Sequence, residues 1–159
     1  MTAASGRSGI LQQWRRFNAF PLGRKLFNRL VGFTVPYAAS IQPDILAIEP
    51  GLARARIRDR RRVRNHLRSI HAVALINLAE MTANMAMMSI QPGNGRWIVT
   101  GLDADFVKKA RGPITAECRV ADLDWSTPRD VGGEVTLRDR SGNLVMTARP
   151  RWRIGPTTS

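Results

Sequence analysis

Three polar residues interrupt a long apolar segment, and their types suit acid–base or nucleophilic chemistry. Asn77, Glu80 and Asn84 stand three and four positions apart within residues 70–90, which places them on one helical face. A carboxylate in an apolar interior must be paired or protonated, because burial disfavours its charged form. Since such groups cluster at functional sites, Glu80 is the leading candidate for a general base or nucleophile. The alternative is a structural carboxylate held by Asn77, Asn84 or a backbone amide.

A second candidate group opens the same helix. His71 precedes Glu80 by nine residues, about two and a half turns, so the two side chains face opposite sides. They belong to two separate sites, or to one site completed by a second subunit; otherwise His71 is a capping or packing residue. Backbone amides near His71 are helix-terminal donors suited to an oxyanion. Asn65, in the loop before, is a turn residue or an amide donor to water or a carbonyl.

The element that carries these groups is a helix over residues 70–90, with Ser69 as its N-cap and Pro92-Gly93 as its end. The helix is apolar on nearly all sides, which predicts burial. Its length approaches that of a membrane span, but the polar residues within it favour a core helix.

Strand periodicity dominates most of the remaining sequence. Residues 52–60 alternate, which predicts a strand with one wet face. Its arginines are either solvated or form a phosphate-binding stripe: Arg54, Arg56, Arg58 and Arg60. Residues 35–49 are expected to be irregular or extended. Four further strands are predicted in meander order over residues 96–106, 114–121, 131–139 and 144–154, so the layout is α+β.

The N-terminal segment has a different character from the rest of the chain. Residues 1–9 predict a frayed tail, and residues 10–31 predict two basic amphipathic helices divided by Pro21. Docking on the chain's own domain is favoured over a membrane surface, which stays as the alternative. The predicted organisation is a helical segment (residues 1–33), one α+β domain (34–155) and a tail (156–159).

Composition limits the function classes. The chain has 25 basic and 12 acidic residues, a net charge of +13, and such a field attracts nucleic acid, anionic membranes and phosphate-bearing ligands. An arginine-rich composition alone is the plain alternative. The single cysteine, Cys118, falls on the apolar side of a strand and predicts a core residue, with no disulfide and no metal site. Without a recognisable secretory signal, a cytoplasmic location is expected.

The run from Asn65 to Glu80 resembles the hotdog thioesterases of the phenylacetyl-CoA type and the uncharacterised hotdog proteins grouped with them. That family's pattern is a loop Asn, a His-Gly six residues on, and an apolar helix with Leu-Ala-Asp. Here Asn65, His71-Ala72 and Leu78-Ala79-Glu80 match without a gap. The sequence departs from the pattern twice, since Ala72 replaces the glycine and Glu80 replaces the aspartate.

The resemblance implies a hotdog fold, an antiparallel sheet wrapped around the central helix, and acyl-CoA thioesterase activity without a cofactor besides the CoA of the substrate. It implies that Glu80 attacks the thioester or activates water, the Ala72 amide holds the thioester oxygen, and Asn65 orients the carbonyl or the water. The site would lie across a homodimer interface, with the His71 side from one subunit and the carboxylate from the other; a dimer of dimers is equally open. Thr100 is the candidate assisting hydroxyl. The candidates for CoA phosphates are Lys108, Lys109 and Arg111.

Three alternatives remain beside the thioesterase. A non-catalytic acyl-binding or acyl-CoA-binding module would keep the fold and use Glu80 structurally. A nucleic-acid-binding protein suits the charge, but the sequence has no helix-turn-helix signature, no zinc ligands and only 6% aromatic residues. A hydratase or dehydratase on the same fold would need an acid and a histidine converging on one site, and the sequence does not place such a pair.

Overall fold

A computed structural model describes residues 8–157, so most of the predicted N-terminal tail and residues 158–159 lie outside the described residues. Three helices come first: α1 (Gly9–Asn18), α2 (Gly23–Thr34) and α3 (Pro36–Ala39). Strands β1 (Asp44–Glu49) and β2 (Leu52–Ile57), a 3-10 turn (Arg61–Val63) and helix α4 (Ala72–Ile90) follow. The remaining strands are β3 (Gly95–Phe106), β4 (Ile114–Arg119), β5 (Arg129–Gly132), β6 (Glu134–Arg138) and β7 (Leu144–Pro156).

The strands form one antiparallel sheet that curves around α4. Its order is β1-β2-β4-β6-β7-β3, and β5 pairs with part of β7. The buried residues of α4 pack on the inner face of the sheet, where Ala55, Ala116 and Trp152 are fully buried. The predicted α+β architecture with a central helix is therefore confirmed.

The predicted meander order is wrong. Strand β3 does not pair with β4, but runs beside β7 at the far edge of the sheet. Strand β4 lies between β2 and β6, where Ala53 and Ala55 of β2 stand opposite Cys118 and Ala116. This order buries the apolar helix α4, because the strands with the most apolar inner faces occupy the middle of the sheet and pack on it.

The predicted strand over residues 131–139 is divided into β5 and β6 at Gly133. The Gly133 amide donates to the Pro150 carbonyl at 3.1 Å, and a Cβ at this position would lie 2.9 Å from the Trp152 ring. Residues 35–49 differ from expectation in part, since Pro36–Ala39 form helix α3, whereas Asp44–Glu49 are extended as strand β1.

The start of α4 needs a correction too. The N-cap is His71, whose Nδ1 accepts a hydrogen bond from the Val73 amide at 3.1 Å; it is not Ser69. The two residues before Ala72 are held extended, since the amides of Ile70 and His71 donate to the carbonyls of Ala110 and Val63, each at 2.8 Å. The helix therefore cannot begin before Ala72.

Helix α4 is the core of the domain. By length and composition it is the one helix among residues 8–157 that could cross a membrane, yet 12 of its 19 residues are buried within the protein. The core-helix prediction is confirmed. Cys118 is fully buried against it, and this burial raises the pKa of its thiol to about 12, as suits a packing residue.

The arginines of the β2 region are mostly occupied by the chain's own acceptors. Arg54 pairs with Glu117, and Arg56 pairs with Asp44 at 2.7 Å. Arg60 donates to the Ile41 carbonyl at 2.7 Å. The stripe therefore joins neighbouring segments, rather than forming a free phosphate-binding surface.

The N-terminal helices dock on the domain through a few large side chains. Leu11 and Trp14 of α1 are buried, and the Trp14 and Phe27 rings meet edge to face with centroids 5.1 Å apart. The chain turns sharply between α1 and α2, where a Cβ on Gly23 would lie 1.6 Å from the Phe17 carbonyl oxygen. Only glycine permits this close approach between the start of α2 and the end of α1.

Candidate functional site

The Glu80 side chain lines a cavity between α4 and the N-terminal helices. The cavity has a volume of about 910 Å³, near the upper end of the range for small-molecule sites. Beyond Glu80 and Asn84, its walls are mainly apolar, and they include Phe27, Leu30, Val31, Met81, Met85, Met88 and Trp97. A half-buried carboxylate therefore stands at the side of a largely apolar chamber.

A hydrogen-bonded chain orients the Glu80 carboxylate. Asn84 Nδ2 donates to Glu80 Oε1 at 3.1 Å, and Asn84 Oδ1 accepts from the indole Nε1 of Trp152, also at 3.1 Å. Because Trp152 is fully buried in β7, it holds the asparagine amide in one orientation. Among residues 8–157, Glu80 Oε2 makes no hydrogen bond, so it is available to a water or a substrate atom.

Asn77 does not belong to this group, although it shares the helix. Its side chain is buried and Nδ2 donates to the Tyr37 carbonyl at 3.3 Å. The predicted stripe of three polar residues is thus a pair, Glu80 with Asn84. Asn77 instead ties α4 to α3, because it lies about two turns, or about 10 Å along the helix axis, before Asn84 and there meets the Tyr37 carbonyl rather than Trp152.

The second group of predicted residues lies at the N-terminal end of α4. The side-chain oxygen Oδ1 of Asn65 accepts hydrogen bonds from the Leu67 amide at 3.0 Å, and from the amide and hydroxyl of Ser69. Asn65 is therefore a turn residue through its oxygen, and its Nδ2 makes no hydrogen bond within residues 8–157. The Ala72 amide likewise has no acceptor there, and both His71 and Ala72 are exposed.

The chain does not bring these two groups together. Nine residues of helix separate His71 from Glu80 by about 13 Å along the axis, and neither His71 nor Asn65 lines the cavity. A single chain thus presents a carboxylate with a cavity in one place, and an amide donor with a histidine in another.

The remaining predicted residues divide between three places. Thr100 is exposed on the edge strand β3, at a bulge between the pairs Val99–Trp152 and Gly101–Arg151. Lys108 binds Asp139 in the β6–β7 turn, and its hydrogen bond lowers the pKa of that carboxyl to about 2.

Lys109 and Arg111 lie near the N-terminal end of α4, away from the cavity. They are exposed on either side of Ala110, whose carbonyl accepts the Ile70 amide, so they lie beside the His71 end of α4.

Sequence reasoning missed two parts of the Glu80 site. Trp152 is 68 residues from Asn84, and no local pattern links them. The N-terminal helices, treated as a separate segment, supply one wall of the cavity. The one available signal was the methionine content of α4, since Met81, Met85 and Met88 recur on the cavity face, whereas Met87 belongs to the core.

Comparisons with known proteins agree with this fold. A family profile described as a domain of unknown function, DUF4442, matches residues 23–154. Among solved structures, a structural-genomics target is 27% identical, with a TM-score of 0.81 over 94% of this chain and 98% of its own. A Pseudomonas aeruginosa protein of unknown function, described as a probable thioesterase, is 21% identical, with a TM-score of 0.76 over 86% and 97%.

A Haemophilus influenzae protein described as a thioesterase is 15% identical, with a TM-score of 0.71 over 88% of this chain and 94% of its own. These similarities confirm the predicted hotdog fold. No curated protein matches the chain with significance.

Proposed function

Because this chain belongs to the DUF4442 family and has the hotdog fold, we propose that it is a thioester hydrolase acting on acyl-CoA. The observation that carries the proposal is Glu80, which presents a free carboxylate oxygen to an apolar cavity of about 910 Å³. A thioester with an apolar acyl group suits both features, since the acyl chain fills the cavity and leaves its carbonyl near the carboxylate.

Glu80 acts as the general base in this proposal. Its Oε2 takes a proton from a water, the water oxygen bonds to the thioester carbon, and the carbonyl becomes an oxyanion. The C–S bond then breaks as the carbonyl reforms, and the CoA sulfur leaves with a proton returned from Glu80. The Asn84–Trp152 chain keeps Glu80 in one orientation through these steps, which limits the reorganisation that the reaction requires.

The oxyanion donor comes from a second copy of the chain. Since the Ala72 amide and Glu80 lie apart within one chain, a dimer that places one chain's Ala72 beside the other's Glu80 completes the site. The amide, at the positive end of the helix dipole, would hold the oxyanion. Lys109 and Arg111 lie beside that helix end and would contact CoA phosphates, whereas the ion pair with Asp139 removes Lys108 from this role.

The first experiment compares hydrolysis of short, long and aromatic acyl-CoAs by the wild type and by Glu80→Gln. Glutamine keeps the side-chain volume and the hydrogen bond from Asn84, but cannot accept the proton from water. We expect kcat/KM to fall by about 10²-fold or more. Glu49→Gln, an exposed carboxylate on β1, is the matched control and should retain wild-type rates.

Two results would contradict the proposal. Equal rates for Glu80→Gln and the wild type would remove Glu80 from the mechanism. A wild type that hydrolyses no member of the panel, but binds acyl-CoA saturably, would favour the acyl-binding module, which the separation of Glu80 from Ala72 in one chain also fits.

A further inference from the structure

Helix α2 has two apolar faces, and only one of them packs against the protein. Gly23 and Phe27 are buried, and Phe27 packs on Trp14 and Phe17 of α1. The other face carries exposed apolar residues, beginning at the helix N-cap, in one stripe at helical spacing: Leu22, Leu26, Leu30 and Phe33. Nothing among residues 8–157 covers this stripe, where Phe33 exposes 76% of its surface.

Neighbouring residues extend the stripe into a patch, here called the α2 patch. It adds Phe20 and Tyr37, which are 65% and 70% exposed, and Val35. Seven of the 13 large exposed hydrophobic residues within 8–157 thus fall in positions 20–37. Single exposed apolar side chains need no explanation, but a concentration of this kind marks an interaction surface.

The segment that carries the α2 patch has charged residues of one sign. Residues 1–43 contain no Asp or Glu, and six basic residues: Arg7, Arg15, Arg16, Arg24, Lys25 and Arg29. At 100° per residue, Lys25 and Arg29 directly flank the exposed stripe. Neither forms an ion pair within the described part of the chain, whereas Arg24 lies 3.8 Å from Asp44.

We propose that the α2 patch binds the surface of an anionic lipid membrane. Aromatic and aliphatic side chains on a basic helix enter the boundary between headgroups and acyl chains, while the flanking cations meet lipid phosphates. A second copy of the chain fits this face less well, since it would bring two uniformly basic segments together. Nucleic acid would meet the cations but gains little from exposed leucines.

The α2 patch adjoins the cavity that contains Glu80. Leu30 and Val35 belong to the exposed patch and also line the cavity, as does Thr34 between them. Membrane docking would therefore place the cavity next to the lipid, from which a long acyl chain can enter without crossing water. This link rests on the proposed function, but binding to the membrane does not.

The test is flotation of the whole protein with vesicles in the absence of substrate, so that failed binding and failed hydrolysis are separate results. Vesicles of phosphatidylcholine alone are compared with vesicles containing about one third phosphatidylglycerol. Each basic side chain near an anionic surface changes partitioning by about fivefold, so Lys25→Gln/Arg29→Gln should weaken binding to the anionic vesicles by about 30-fold. Phe20→Ser/Phe33→Ser should weaken it by at least about tenfold.

The matched control is Phe106→Ser/Val107→Ser, which changes exposed apolar residues at the end of β3 and should bind like the wild type. The proposal is overturned if the wild type does not bind anionic vesicles, binds neutral ones equally well, or is weakened as much by the control as by the patch variants. It is also overturned if Phe20→Ser/Phe33→Ser halves the molar mass in solution, which would make the α2 patch an interface between copies, or if the wild type prefers DNA to anionic vesicles.

Discussion

Replacing Ala72 with proline would remove the proposed oxyanion donor while leaving the helix intact. Ala72 is the first residue of α4, the one helical position where proline is favoured, because its missing N–H has no partner within the helix. His71, at φ −65° and ψ 140°, already has the extended backbone that a residue before proline requires. Ala72 is also exposed, so the proline ring meets no packed neighbour.

The Ala72→Pro substitution should raise the stability of the fold and lower the activity. The native backbone fits proline, and proline reduces the conformational entropy of the unfolded chain. The substitution should therefore raise the free energy of unfolding by about 0.4–1 kcal/mol. Loss of one backbone donor to the oxyanion should lower kcat by about 10²–10³-fold, equivalent to about 2.7–4 kcal/mol. Because the substrate carbonyl needs this donor much less than the transition state does, KM should change little.

The assay is steady-state hydrolysis of the best acyl-CoA, with thermal unfolding as the fold control and Ala72→Ser as the matched variant that keeps the amide. Mixing Ala72→Pro with Glu80→Gln under subunit exchange tests the shared site. Half of the dimers would then be mixed, each with one intact site, so about a quarter of the wild-type rate should return. Ala72→Pro rates close to those of Ala72→Ser would refute the donor role, and no recovery on mixing would refute the shared site.

Two further predictions concern the cavity and the core. Met88 lies eight residues beyond Glu80, about 12 Å along the helix, or about ten acyl carbons at ~1.2 Å per bond. In the wild type, each methylene added to the acyl chain should raise kcat/KM by about fourfold, and Met88→Trp should therefore abolish this gain beyond roughly that length. The measurement is kcat/KM over a series of acyl-CoAs of increasing length, with Met88→Leu as the control. An unchanged dependence on chain length would count against the cavity as the acyl site. The Cys118 thiol, buried and with its pKa raised to about 12, should react with a thiol reagent at pH 8 only as fast as the chain unfolds, and rapid labelling of the folded protein would contradict its place in the core.

The sequence alone predicted those features that depend on local periodicity. The apolar run around Glu80 predicted a buried helix, and the alternation of Ala53, Ala55 and Ile57 with arginines predicted the inner face of β2. The helical repeat also showed that His71 and Glu80 point to opposite sides. Each of these inferences needs only the repeat of one element, because side-chain direction along a helix or strand follows from the backbone geometry.

The tertiary structure decided which partner each face meets. Asn77 and Asn84 are equivalent in the sequence pattern, yet one bonds to the Tyr37 carbonyl and the other joins Trp152 to Glu80. The order of the strands, the cavity under the N-terminal helices and the division of α2 into a buried and an exposed face were decided in the same way. Periodicity predicts whether a face is apolar or polar. Which element packs on that face depends on contacts between segments far apart in the chain, because all apolar faces must be buried together in one shared core.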